Sequence, residues 1–442
     1  MSKNQIIILT TIASFVGITI YLYLLFDGYD FFSFHFFEFI LSFYFFVFLA
    51  IKDYNSKLLF SIRIIFNLFG FLYTNYHIIQ LVETNQRIDD YTFFAMDLSY
   101  LAIISFNLVY SYSKKSKPIL REQGYTFSVS KFNFGLIIFC ILSLLSEFYV
   151  VFYKIGIVSY ILASRAERSL MREGYSFFMF YSFLIPLIAA ISLFLYYKYK
   201  KKKNLFIFFI SFIIAVLNAV ITASRADLLS LFLPIVFLCN YFKVISNKKT
   251  VIIGCMGFAL MGIWKSLYSE EVEVQYDSEF NTWYEICKNM MSNPRGLDIL
   301  YGQSYIKTAI NLVVPFTGME SLSTWYVKNY EYSVYLAGGG RGFSSVLEAY
   351  MNFRLLGVII VYAFYGWLAK KISPKGVANV LLFMIVITSI NMLFRAESYS
   401  LWKNMMWFKI YPILMLYFYS RKKSYSTMHL DESSLEKNRY FK

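Results

Sequence analysis

The stretch KYKKKKNLFIFFISFIIAVLNAVITASRADLLSLFLPIVFLCNYFKVISNKK, residues 198–249, decides the architecture. It leaves a lysine block, runs through an apolar segment at 205–222 and turns within a few residues at Ser224-Arg225-Ala226-Asp227. It then returns through a second apolar segment at 228–245 to Lys243, Lys248 and Lys249. Apolar segments of about 17 to 25 residues have the length that crosses a bilayer as helix. Lysine at both ends of such a hairpin marks its cytoplasmic face. The stretch therefore reads as two antiparallel spans whose outer turn carries one arginine and one aspartate.

The same grammar extends along the chain. Further apolar blocks fall at 5–26, 31–51, 58–81, 91–112, 132–153, 176–197, 251–268, 344–369, 377–394 and 404–419, which predicts an all-α polytopic membrane protein of about 12 transmembrane helices. Lys52/Lys57, Lys114 to Arg121, Lys198 to Lys203, Lys243 to Lys249, Lys370 to Lys375 and the tail from Arg421 all come out on one face, with both termini. An odd number of missed or invented spans would break that alternation, so charge tests the count as well as the orientation. The first block lacks a small-residue cleavage site behind it and is expected to stay as a span.

Composition agrees. Of 442 residues, 58% are hydrophobic and 16% charged, more apolar surface than a soluble domain needs. The net charge of +15 would point to nucleic acid in a soluble protein, but here the lysines sit in short loops on one side, which is orientation and not DNA binding. The four cysteines, Cys140, Cys239, Cys255 and Cys287, have no paired spacing, so neither a disulfide framework nor a zinc site is indicated. The domain organisation reads as a single membrane domain over 1–420, with one long extracytoplasmic loop at 269–343 between spans nine and ten, and a polar cytoplasmic tail at 421–442. The loop is longer than an ordinary connection and reads as two or three short amphipathic helices. The tail reads as disordered.

The outer face gathers arginine. Arg165, Arg168 and Arg172 are spaced three and four apart, one face of a helix between spans five and six. A bland reading gives that helix to lipid headgroups. Arg225 stands in the turn before span eight. Asp227 beside it can cap the following helix, which leaves Arg225 unexplained. Gly338-Gly339-Gly340-Arg341-Gly342 leads into span ten, where free N–H groups attract anions. From there Arg341, Ser345, Glu348 and Asn352 lie on one helix face, and a polar stripe within a span must face a cavity or a partner helix. Arg395-Ala396-Glu397 ends span eleven. Arginine's planar fork suits phosphate, so this set predicts a site for an anionic substrate at the outer membrane edge. Glu397, Glu348 and Asp227 are the carboxylates near it. No Walker loop, Asp-x-Asp clamp, His-Glu-x-x-His or nucleophile elbow occurs, so no metal or cofactor is expected.

ASRADLL at 223–229, the glycine-rich approach to Arg341 and SSVLEAYMNFRLLG at 344–357 together resemble the Wzy-type O-antigen and capsule repeat-unit polymerases. Arg354 departs from the pattern, where a small residue is expected. The resemblance implies a fold similar to type C glycosyltransferase-like polymerases in the bacterial inner membrane. It implies a metal-independent enzyme that transfers a growing glycan from undecaprenyl pyrophosphate to a lipid-linked repeat unit on the outer face, with these arginines against the pyrophosphate and Glu397, Glu348 and Asp227 as candidate general bases, Glu397 first because it lies beside Arg395. Its partners would be the undecaprenyl-pyrophosphate-linked oligosaccharide, membrane lipids and a chain-length regulator. A flippase of the same lipid-linked unit and an O-antigen ligase are the rival readings. A flippase should place its ions near the midplane and often shows two related halves.

Overall fold

Every long apolar block inside the described residues is helical, because a backbone without water must satisfy its own hydrogen bonds. The structure is a computed structural model that describes residues 61–83, 86, 88–112, 125–162, 171, 182–221, 225–254, 256–257, 282–292, 300–314, 319–336, 343–372, 374, 376–390 and 392–423. The expected spans at 5–26 and 31–51, and most of that at 251–268, lie outside them. Among the described residues, five helices are long and apolar enough to cross a membrane, and two shorter apolar helices accompany them.

The elements, in chain order, are α1 (Ile62–Glu83), α2 (Asp90–Tyr112), β1 (Tyr125–Phe127), α3 (Val129–Glu147), α4 (Ile157–Leu162), α5 (Ile185–Tyr199), α6 (Lys202–Ile221) and α7 (Arg225–Tyr241). Among its described residues the long connection holds α8 (Thr282–Met291), α9 (Gln303–Val313), α10 (Leu322–Tyr330) and α11 (Tyr332–Leu336), four short helices where two or three are predicted. Then come α12 (Ser345–Lys371), α13 (Val377–Ile387), α14 (Met392–Arg395), α15 (Ser398–Met405), α16 (Tyr411–Tyr419) and β2 (Arg421–Lys423). A π-helical turn at Phe148–Ile155 extends α3, and another at Met406–Ile410 joins α15 to α16.

Two departures from straight spans position the site. Span eleven is broken: α13 stops at Ile387, a turn follows at 388–390, and α14 adds only four residues. The carbonyls freed by the break find side-chain donors, since Lys409 Nζ donates to Thr388 O at 3.3 Å and Tyr362 OH to Leu393 O at 2.8 Å. Span ten is folded rather than straight. Within α12, Phe353 (φ −145°, ψ 26°) and Arg354 (φ 53°, ψ −147°) leave helical geometry. A Cβ on Gly357 would come within 2.1 Å of the Ala349 carbonyl oxygen. In an unbroken helix, residues eight apart stand about 12 Å apart along the axis. Residues 345–352 thus turn back against the start of 355–371. Leu300 N–H donates to the Met351 carbonyl, next to that reversal, at 3.0 Å.

The core is aromatic and close-packed. Phe66 of α1 stacks on Phe106 of α2 at 3.8 Å between centroids and meets Phe394 of α14 at 5.0 Å. Asn67 and Asn107 exchange amide hydrogen bonds of 3.2 and 2.7 Å between the same two helices, a buried polar pair of the kind that fixes helix register in lipid. Gly366 lets α12 lie directly on the backbone of α2. The predicted polar tail differs at its start. Residues Arg421–Lys423 pair antiparallel with Tyr125–Phe127, Lys423 opposite Tyr125, so a small β-ladder interrupts the otherwise helical fold. The connection before α3 and the segment after α16 therefore share one end of the bundle.

The long connection is docked, not loose. Tyr284 OH of α8 donates to Thr74 O at 2.6 Å, Trp283 Nε1 to Tyr73 O at 3.3 Å, and Lys288 forms an ion pair with Asp89 at 2.7 Å. Asn289 Nδ2 donates to Tyr326 OH at 3.0 Å and carries the anchorage on to α10. Burial pushes the Cys287 thiol up to about 12, so it stays protonated and inert.

Candidate active site

Ser344 starts α12: its hydroxyl accepts the Val346 N–H at 3.2 Å. One turn later comes Glu348, and one more turn later Asn352. Ser345, Glu348 and Asn352 are all fully buried, so the described part of the predicted polar stripe does turn inward. Asn352 Nδ2 donates to Ser304 Oγ at 2.7 Å, which seats the start of α9 against the fold in α12. Gly302, at φ 85°, caps α9 on its N-terminal side, and Phe353 covers it so closely that a Cβ there would lie 3.0 Å from the ring.

Glu397 arrives from the other direction, at the N-cap of α15. Its side chain does not cap its own helix. Oε2 accepts the Ser323 hydroxyl of α10 at 2.7 Å and Oε1 accepts Ser400 Oγ at 2.5 Å. The next residue, Ser398, points its backbone N–H at Glu348 Oε2, 2.5 Å away. Glu348 thus occupies the positive end of α15, where an anion is favoured. Its second oxygen, Oε1, is buried and meets no hydrogen-bond partner of ordinary geometry among the described residues, and the Ser304 and Ser398 hydroxyls lie beside the carboxyl.

Both carboxylates line one small, partly open cleft, walled by α9, α10, α12 and the α14–α15 turn. Glu320, Ser321 and Tyr399 line it too, with Gln303 and Lys307. Glu320 is held by Lys328 at 2.7 Å. Tyr305 lies behind the site; burial, and then the Glu348 charge, push its phenol well up, so it remains protonated. A cleft with a desolvated carboxylate beside a second carboxylate can take a proton from a hydroxyl and hold polar groups.

Of the candidate residues read from the sequence, Glu348 and Glu397 come together. Asp227 does not line this cleft. It opens α7 within electrostatic reach of buried Lys409, whose ammonium also donates to Thr388 Oγ1 at 3.1 Å and Ser389 Oγ at 3.0 Å. Arg395 is half-buried at the end of α14. Arg165, Arg168, Arg172 and Arg341 lie outside the described residues, as does the side chain of Arg225. The sequence reading missed Ser304, Ser323, Ser398, Lys307 and Tyr399. A lone serine in a polar loop carries no local signature, and these five enter only through contacts between distant segments.

Residues 283–424 match the family model described as O-antigen polysaccharide polymerase Wzy. The matched region holds α9 to α16, both carboxylates and the cleft. The match covers about a third of the chain and supports, over that region, the resemblance read from the sequence: there the chain is similar to O-antigen polysaccharide polymerases, and its apolar helices fit a membrane protein. No curated protein and no solved structure matches the chain.

Proposed function

We propose that this chain, Wzy-family over residues 283–424, is a glycosyltransferase that lengthens a glycan by moving it from undecaprenyl pyrophosphate to the next lipid-linked repeat unit. One observation carries the reading: within the matched region, two buried carboxylates, Glu348 and Glu397, share a cleft. In the proposed step, Glu348 takes the proton of the acceptor hydroxyl. The hydroxyl oxygen bonds to the anomeric carbon of the donor glycan, and the bond from that carbon to pyrophosphate oxygen breaks, its electron pair leaving with the pyrophosphate. Glu397, engaged at both oxygens, orients the acceptor and the α14–α15 turn.

Negative charge builds on the departing pyrophosphate. Arg225, Arg341 and Arg395, with Arg165, Arg168 and Arg172, are the proposed partners for that charge, which spares the reaction a metal. The site opens to the outer face of the bacterial inner membrane in this reading, with both termini in the cytoplasm and a chain-length regulator as a partner.

The glycan phenotype of a deletion strain tests it. Single repeat units on the surface support the polymerase. Their complete absence indicates a flippase, and unattached long chains a ligase; either result overturns the proposal. Arg341→Ala and Arg225→Ala should leave the protein inserted yet stop long-chain formation.

A further inference from the structure

The Ser323 hydroxyl stands where three segments meet. It belongs to α10, in the long connection. It donates to Glu397 Oε2 at 2.7 Å and accepts the backbone N–H of Phe343 at 3.3 Å. Phe343 directly follows the glycine run that carries Arg341. A hydroxyl has one proton to give. With the Phe343 amide on its acceptor side, that proton is directed to the carboxylate. The arrangement therefore fixes which way the hydrogen bond points, not only that it exists.

From this geometry we infer that Ser323 is a positioning residue: it sets the orientation of Glu397 and ties it to Phe343 at the entry of α12. The inference rests on the proposed polymerase reading. Ser400 holds only the other oxygen of Glu397 and comes from the same short helix, so it cannot register the carboxylate against the long connection. Ser323 does so because α10 is itself anchored. Asn289 of α8 donates to Tyr326, and α8 is fastened to α1 through Tyr284 and Trp283. The chain of contacts thus runs from the α1–α2 pair through α8 and α10 to one carboxylate oxygen. Removing the hydroxyl while keeping its volume leaves Glu397 Oε2 and the Phe343 N–H unpaired without opening a cavity, which separates orientation from packing.

The test uses Ser323→Thr and Ser323→Val, near-isosteric side chains that differ in the hydroxyl. Each purified full-length variant, with Glu348→Gln as a control, is assayed with the lipid-linked repeat unit extracted from a deletion strain. Ser323→Val should lower kcat about tenfold or more with KM within about twofold, and Ser323→Thr should recover most of the loss. Equal kcat for the two variants, at any level, overturns the inference, as does a loss in Ser323→Val that appears wholly in KM. If Ser323→Val does not fold, Ser323→Ala replaces it against Ser323→Thr under the same criteria. The control keeps the two ideas apart: an active Glu348→Gln defeats the proposed function itself, whereas an inactive one with a fully active Ser323→Val defeats only the role of Ser323.

Discussion

The backbone N–H of Ser398 and the carboxylate of Glu348 meet at 2.5 Å, which locks the first turn of α15 onto the folded half of α12. Fifty residues separate the two in sequence. The contact explains how an acidic side chain persists in a fully buried position: the helix terminus supplies a charge-favouring donor to one oxygen, and the proposed function gives the other the role of base.

Glu348→Gln tests that division. Glutamine retains an acceptor for Ser398 N–H and nearly the same volume, so the protein should insert and fold. It cannot accept the acceptor-hydroxyl proton, and polymerisation should fall by about 10² to 10⁴, the usual contribution of a general base. The chain-length ladder of surface glycan is the readout, and an unaltered ladder would remove Glu348 from the mechanism.

Arg354 sits at φ 53°, ψ −147°, a region that glycine tolerates and other residues enter only under strain of about 1 to 3 kcal/mol. Its guanidinium lies 5.2 Å from the Tyr350 ring centre, an attraction that offsets part of that strain. Arg354→Gly is expected to be at least as stable as the parent, and Arg354→Val less stable than Arg354→Gly by about 1 kcal/mol or more, because β-branching worsens a positive φ. Thermal unfolding in detergent gives the ordering, and a stable valine variant would mean the fold in α12 is not strained.

Gly366→Ala should weaken the α2–α12 contact. The added Cβ would stand 2.3 Å from the Phe106 carbonyl oxygen, so backbone must move, at about 1 to 3 kcal/mol. Gly254→Ala is the matched control, since a Cβ there meets nothing within 4 Å. Similar melting behaviour in both variants would contradict the close approach.

The Asp89–Lys288 pair should make docking of α8 sensitive to acid only. Burial would raise the Asp89 carboxyl, but hydrogen bonds from Lys288 and from Thr92, the latter at 2.8 Å, outweigh it and hold the group below its ordinary value. A depressed folded-state value stabilises the docked state above the unfolded value of about 3.9 and loses that contribution as pH falls through the folded one. The hydrogen-exchange protection factor across 282–291, taken relative to the intrinsic rate at each pH, should be level between about pH 5 and 8 and fall only below about 4. Asp89→Asn should flatten that acid loss, and a loss of protection already present near pH 6 would point to another group.

Much of this protein was legible in one dimension. Apolar length placed α1, α2, α3, α6 and α7 within a few residues of their expected blocks, because a helix in lipid follows from local composition and needs no partner to be specified. The inward stripe of Ser345, Glu348 and Asn352 was likewise readable, since 3.6-residue periodicity is local. The break after Ile387 and the reversal at Phe353 and Arg354 were not, because continuous apolar sequence reads as continuous helix. Nor was the grouping of Glu348 and Glu397 in a cleft without Asp227, or the choice of Ser323 as the hydroxyl on Glu397 from 74 residues away. Sequence determined which segments enter the membrane and which side chains must avoid lipid. Only the tertiary structure decided which of those side chains face one another, because that depends on how helices distant along the chain pack and where their freed carbonyls and carboxylates find donors.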